Sequence, residues 1–118
     1  MKKEKIGRIT YNNFGSNNYS RGLEAVTFDP REITWKEVLA LDGFFLHPNL
    51  EPNDCEIYAL KGTAKQYKDF CIAVAEQEAI KFAQKETGLS VFDHLTDEEW
   101  RTLEKAQRNF TFVPWFLK

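Results

Sequence analysis

The stretch from residue 63 to residue 87 contains neither proline nor glycine, and alanine and long side chains dominate it. This composition favours a helix, and Gly88 follows as a stop signal. The run F-C-I-A-V-A over residues 70–75 is apolar around the whole circumference of such a helix. A helix with one solvent-facing side would not have this pattern. We therefore expect a helix over residues 64–87 that is buried on several sides, by a sheet and by a second subunit.

A second helix is predicted to begin after Thr96. The sequence T-D-E-E places Thr96 and Glu99 at the spacing of a capping box, and its acidic residues complement the positive end of a helix. These signals predict a helix over residues 97–109. Arg101, Lys105 and Arg108 follow at i, i+4 and i+7, so they form a basic stripe along one face.

The first half of the chain has the pattern of short strands and turns. Thr34 and Glu37 also have the capping-box spacing, which predicts a short helix over residues 35–41, although a strand over residues 33–41 is nearly as compatible. The predicted strands cover residues 6–11, 23–29, 44–47 and 55–62. The expected fold class is α+β, with a small N-terminal antiparallel sheet followed by two C-terminal helices.

At 118 residues the chain has the size of one domain. We expect a single domain over residues 1–118, with a strand-rich half over 1–62 and a helical half over 63–118. The last residues, N-F-T-F-V-P-W-F-L-K, are too apolar for a free tail. They are expected to dock as an edge strand or an arm, against a partner subunit.

Composition limits the classes of function. The chain is 42% hydrophobic and 29% charged, which is typical of a globular protein, and its net charge of −2 argues against general nucleic-acid binding. No apolar run is long enough for a signal peptide or a membrane helix. Cys55 and Cys71 have no nearby Cys or His, so both are expected to be free thiols. These features predict a cytoplasmic protein.

The sequence contains no recognisable catalytic or metal-binding motif. His47 and His94 each lack a second ligand at metal-binding spacing, and the serines occur in no nucleophile-elbow pattern. The N-N-F-G-S-N segment has one glycine and no following Lys-Thr, so it is not a phosphate loop. We therefore expect no enzyme activity, no metal and no cofactor.

Three features are suited to binding, and each has a structural alternative. The basic stripe could clamp phosphates, or it could be a solvated face paired with Glu98 and Glu104. The asparagine-rich segment over residues 9–20 offers amides to sugar hydroxyls and adenine edges, or it is a turn. The aromatic residues near the stripe could stack on a base or belong to the core; they are Phe92, Phe110, Phe112 and Trp115. Together these features favour a small nucleotide-like ligand.

Three segments resemble a family of small phage proteins, the Thoeris anti-defence sponges. They are Y-N-N-F-G-S-N-N-Y-S-R-G-L-E-A-V, F-F-L-H-P-N and Y-K-D-F-C-I-A-V-A-E-Q-E-A-I. The resemblance implies a non-enzymatic protein that sequesters glycocyclic ADP-ribose, the immune signal made by TIR proteins of the Thoeris system, and leaves it intact. It also implies a homo-oligomer, a dimer or larger, with pockets between subunits and with a separate site for cyclic oligonucleotides in some members.

In this family an aromatic ring stacks on adenine and arginines hold the pyrophosphate. The ligand-binding candidates that match this chemistry in the present chain are Asn12, Asn13, Phe14, Asn17, Arg21, Phe82, Phe92, Arg101, Lys105 and Arg108. Two alternatives stay open: a sponge for cyclic oligonucleotide signals, and a small inhibitor that binds a host defence protein directly, as anti-CRISPR proteins do.

Overall fold

Short alternating apolar segments in the first half of the chain produce an antiparallel sheet, as expected. The computed structural model describes residues 10–13 and 21–118. The four strands in this part are β1 (Thr10–Asn13), β2 (Glu24–Phe28), β3 (Phe44–Leu46) and β4 (Ile57–Lys61). Their order in the sheet is β1-β2-β4-β3, and every neighbouring pair is antiparallel. Residues 6–9 of the predicted first strand lie outside the described residues.

One short helix lies between β2 and β3 and two longer helices follow β4, which confirms the predicted α+β class. They are α1 (Trp35–Leu39), α2 (Ala64–Thr87) and α3 (Asp97–Arg108). The chain divides into two compact units, an N-terminal unit of Met1–Cys71 with Pro114–Lys118 and a C-terminal unit of Ile72–Val113. No helix in the described part of the chain combines the length and the apolar character needed to cross a membrane.

One face of the sheet carries the core of the N-terminal unit. Val26 lies opposite Ala59 and Phe28 lies opposite Ile57. Leu46, from the other side, also lies opposite Ala59. Side chains that are opposite each other in an antiparallel pair point to the same face and pack together. All five are buried in one hydrophobic cluster.

The other face of the sheet is also covered. Ala25 and Leu60 are paired across β2 and β4, and both are fully buried. Phe45 lies opposite Leu60, and its ring stacks on the Tyr67 ring of α2 with centroids 4.4 Å apart. The Tyr67 hydroxyl donates a hydrogen bond of 2.8 Å to the Leu46 carbonyl. Burial raises the pKa of this hydroxyl, so Tyr67 keeps its proton and remains a donor.

Capping boxes begin the helices where the sequence predicts them. The Thr34 and Glu37 side chains each bond the other residue's backbone, and the buried Val38 anchors α1 in the core. Of the two alternatives for this segment, the helix is therefore confirmed and the strand over residues 33–41 is wrong. Thr96 and Glu99 cap α3 in the same way. The bounds of α2 equal the predicted range, and α3 ends one residue before its predicted end.

The apolar run of α2 is less enclosed than expected. Phe70 and Val74 are buried, but Ile72 between them is 49% exposed. A helix that was covered on every side would not leave a branched apolar side chain half in solvent. Within the described chain, α2 therefore keeps one open apolar position. Cover by a second subunit stays a prediction.

The C-terminal segment docks, but it is not a strand. Residues 115–117 form a short 3-10 helix, and the Trp115 indole N–H donates 2.8 Å to the His47 carbonyl. The Trp115 ring also meets the Trp35 ring edge to face, with centroids 5.1 Å apart. Pro114 has no N–H for a sheet ladder, and Trp115 and Phe116 after it pack against the core cluster of the N-terminal unit. The edge-strand alternative was wrong.

His47 is a buried, neutral residue of the core. Its Nδ1 accepts a hydrogen bond of 3.1 Å from the Asn49 backbone N–H, and its ring packs edge to face on Phe70 with centroids 5.2 Å apart. Burial lowers the pKa of His47 to about 4. These contacts give His47 a structural role in the core.

Trp115→Ala should lower the free energy of unfolding by about 3 kcal/mol, because it removes a large packed ring and a hydrogen bond. Trp115→Phe keeps most of the packing and should cost about 1 kcal/mol. Leu117→Ala is the control, because Leu117 is 69% exposed. Urea unfolding followed by far-ultraviolet circular dichroism measures all three. Equal losses for Trp115→Ala and Leu117→Ala would show that the segment does not hold the fold.

Protonation of His47 should destabilise the fold at mildly acidic pH. Its pKa is about 4 in the folded state against about 6.5 when unfolded, so the unfolded chain binds the extra proton between these values. Stability is full above about pH 6.5 and falls as the pH drops, by about 2 kcal/mol at pH 4.5. His47→Asn keeps an acceptor for the Asn49 N–H and should lose less stability between pH 7 and pH 4.5. The same pH dependence in both proteins would exclude His47 as its source.

Candidate functional site

The C-terminal unit contains a groove between the second half of α2 and α3. Its volume is about 470 Å³, within the range of small-molecule sites. Six residues line it, three from each helix: Glu76, Ala79, Ile80, Glu104, Gln107 and Arg108. On each helix the three residues occur at i, i+3 and i+4, so each wall is one helical turn.

Local interactions hold the two walls. The Thr87 hydroxyl donates 2.7 Å to the Ala83 carbonyl, and Gly88 ends α2 with a φ of +72°. The Gln84 side chain then accepts a hydrogen bond of 2.9 Å from the Val91 backbone, which fixes the start of the connection to α3. Leu103 of α3 is fully buried, so this helix presents a fixed face.

The groove combines one cation with two carboxylates. Arg108 supplies a guanidinium with five N–H donors, and Gln107 supplies an amide that both donates and accepts. Glu76 and Glu104 supply oxygens that only accept while they are ionised. Arg108 makes no ion pair within 4.0 Å to any carboxylate in the described part of the chain, so its donors are open to a ligand. The apolar part of the lining comes from Ala79 and Ile80.

The structure separates the three members of the basic stripe. Arg101, Lys105 and Arg108 are all exposed, which agrees with one solvent-facing stripe on α3. Only Arg108 lines the groove. Among the described residues, none of the three pairs with Glu98 or Glu104 within 4.0 Å. The stripe is therefore neither a clamp of three cations at this groove nor a set of intrahelical ion pairs.

The aromatic candidates have different surroundings. Phe82 is half-buried, and the centroids of the Phe82 and Phe110 rings are 4.9 Å apart. Phe82 therefore has a packing role in the C-terminal unit. Phe92 is 92% exposed. It lies in a tight turn in which the Asp93 N–H donates 3.1 Å to the Ser90 carbonyl. The Ser90 hydroxyl also accepts a hydrogen bond of 3.2 Å from the Phe92 N–H.

The remaining candidates come from the first part of the sequence. Asn12 and Asn13 are in β1, and Phe14 and Asn17 lie outside the described residues. Arg21 is exposed and has a φ of +51°, in the left-handed region that a non-glycine residue rarely adopts. Gly22 follows with a φ of +81°. Such a conformation in an arginine is the kind of backbone feature that occurs at binding sites.

Sequence reasoning did not assign Glu76, Ala79, Ile80, Glu104 or Gln107 to a ligand site. Each residue type is common on helix surfaces, and only the approach of α2 to α3 turns them into a groove. The repeated i, i+3, i+4 spacing with a leading glutamate was the available signal, but it does not tell which helix faces which.

Comparisons with protein-family models, curated proteins and solved structures give no significant match. The described residues also contain no cluster of His, Cys, Asp or Glu that could hold a metal ion.

Arg21→Gly should raise the free energy of unfolding by about 0.5–1 kcal/mol, because glycine adopts the left-handed conformation without steric cost. Arg21→Ala keeps the backbone cost and should not stabilise. Thermal unfolding of both variants measures this difference. If Arg21→Gly is no more stable than Arg21→Ala, the backbone at this position is not strained.

Proposed function

We propose that this protein binds and sequesters a cyclic ADP-ribose-type immune signal, glycocyclic ADP-ribose, without degrading it. In this proposal it is a phage anti-defence protein that acts in the cytoplasm of the host bacterium and keeps the effector of the Thoeris system from being activated. The observation that carries the proposal is the groove of mixed charge between α2 and α3. The resemblance in sequence supplies the identity of the ligand.

The groove offers a partner for each part of such a ligand. Arg108 can form charge-assisted bonds to the pyrophosphate, and Gln107 can bond an adenine edge. Glu76 and Glu104 can accept hydrogen bonds from ribose hydroxyls. A nanomolar affinity corresponds to about −12 kcal/mol, which a few charge-assisted bonds and a largely preformed pocket can supply.

A second subunit would complete the site. Ile72 precedes Glu76 by four residues on α2, so the half-exposed Ile72 extends the same wall by one turn. A subunit that covered Ile72 would lie beside the groove and exclude water from it. This geometry supports a homo-oligomer, a dimer or larger, with ligand sites between subunits. Dry surroundings strengthen each polar contact to the ligand.

Arg108→Ala should weaken binding of glycocyclic ADP-ribose about 10- to 100-fold, because a hydrogen bond to a charged group contributes roughly 1.5–3 kcal/mol. Arg101→Ala is the matched control, since Arg101 is an exposed arginine of the same helix outside the groove lining. Isothermal titration calorimetry measures both affinities. The complex is then heated, and chromatography shows whether the ligand is recovered unchanged.

Three outcomes would contradict the proposal. Absence of binding at micromolar concentrations would exclude this ligand. Equal affinities for Arg101→Ala and Arg108→Ala would exclude the groove as the site. Recovery of a cleaved product would show an enzyme instead of a sponge.

One observation favours a second candidate function, an inhibitor that binds a host defence protein. Phe92 is presented on a hydrogen-bonded turn at 92% exposure, and exposed aromatic residues are frequent anchors of protein interfaces. Phe92→Ser should then abolish capture of a host protein in a pull-down and leave nucleotide binding unchanged. Loss of nucleotide binding in Phe92→Ser would instead assign this ring to stacking on the adenine.

A further inference from the structure

The charges that line the groove do not match those of a simple phosphate site. One guanidinium, from Arg108, stands against two carboxylates, from Glu76 and Glu104. The formal charge of the lining is therefore negative. Arg101 and Lys105, which could offset it, do not line the groove. Every phosphate beyond those that Arg108 can hold meets two nearby like charges.

The same carboxylates need hydrogen-bond donors when a ligand displaces water. Glu76 and Glu104 are both exposed to solvent in the structure, and an ionised carboxylate only accepts hydrogen bonds. A ligand that covers these carboxylates must therefore supply donors in place of water, because a covered carboxylate without partners is costly. Neighbouring ribose hydroxyls supply two donors in the spacing that one carboxylate can accept. A ligand without these hydroxyls would leave an oxygen of Glu76 or Glu104 without a partner.

We propose that Glu76 and Glu104 set the ligand specificity of the groove. They favour a bridged diphosphate with free ribose hydroxyls, and they reject the same ligand when it carries a further phosphate or lacks a hydroxyl. This inference rests on the proposed function, because it assumes that the groove is the nucleotide site. It goes further by assigning the discrimination to two acidic residues instead of to the arginine.

The position of Arg108 relative to Glu104 is consistent with this division of roles. The two residues are one helical turn apart, a spacing at which an ion pair often forms. No such pair occurs here within 4.0 Å between these two described residues. The Arg108 donors and the Glu104 oxygens are therefore not taken up by a direct ion pair between them.

The test uses three probes: glycocyclic ADP-ribose, its derivative with a phosphate ester on one free ribose hydroxyl, and the corresponding deoxy analogue. The wild-type protein should bind the phosphate ester at least about 30-fold more weakly than the parent, and the deoxy analogue about 5- to 10-fold more weakly. Glu104→Gln and Glu76→Gln should each reduce the discrimination against the phosphate ester to less than about 5-fold, because glutamine has similar size without the charge.

Glu98→Gln is the control, because it removes the same charge from the exposed first turn of α3, outside the groove lining. It should keep the wild-type ratios. Salt provides a second measurement. Raising the ionic strength should reduce the discrimination against the phosphate ester, because that discrimination depends on charge repulsion. The discrimination against the deoxy analogue should stay unchanged. Circular dichroism checks that each variant is folded.

The outcomes separate the inference from the proposed function. If the parent binds and both groove variants keep the wild-type ratios, the specificity role of Glu76 and Glu104 is overturned while sequestration stands. If the parent does not bind to the wild-type protein at all, the proposed function fails, and this inference fails with it.

Discussion

The central strands β2 and β4 carry buried side chains on both faces, and this requirement for two covers determines where the rest of the N-terminal unit lies. Val26 and Ala59 face one side, whereas Ala25 and Leu60 face the other. A sheet that is apolar on both faces is stable only when each face packs against another element. The segments that cover the two faces are α1, the first part of α2 and the C-terminal 3-10 helix. They come from three separate parts of the chain, so the order of elements along the sequence does not by itself predict which segment covers which face.

Two of the three covering segments are held by a polar contact as well as by packing. On one face the Tyr67 hydroxyl bonds the Leu46 carbonyl, and on the core side the Trp115 indole bonds the His47 carbonyl. Both contacts satisfy backbone carbonyls at the end of β3, where the ladder stops. A buried carbonyl without a donor is costly, so these two aromatic side chains do more than fill space.

The groove in the C-terminal unit depends on different physics. Its walls are single helical turns: a capping box begins α3, a glycine follows the end of α2, and Leu103 of α3 is buried. The charged side chains of the lining, from Glu76, Glu104 and Arg108, are exposed. This suits a site whose selectivity comes from the arrangement of charges, with an open guanidinium and two acceptors.

The elements with local signals were predictable from the sequence, and those that needed a distant partner were not. Capping boxes at Thr34 and Thr96 involve residues three apart, so their helices were correct. The C-terminal segment was expected to dock as an edge strand or an arm, but Trp115 and Phe116 pack on the core of the N-terminal unit and belong to a 3-10 helix. The i, i+4, i+7 spacing of Arg101, Lys105 and Arg108 correctly placed them on one face of α3. It could not show which of them borders α2.

The sequence by itself therefore determined the α+β class, the positions of β2, β3, β4 and the helices, and the set of charged and aromatic residues available for binding. Only the tertiary structure decided that Arg108 shares a groove with Glu76 and Glu104 while Arg101 does not. The physical reason is that periodicity sets the direction of a side chain around its own helix axis. What that side chain meets depends on the packing of a second helix, which contacts between distant residues determine.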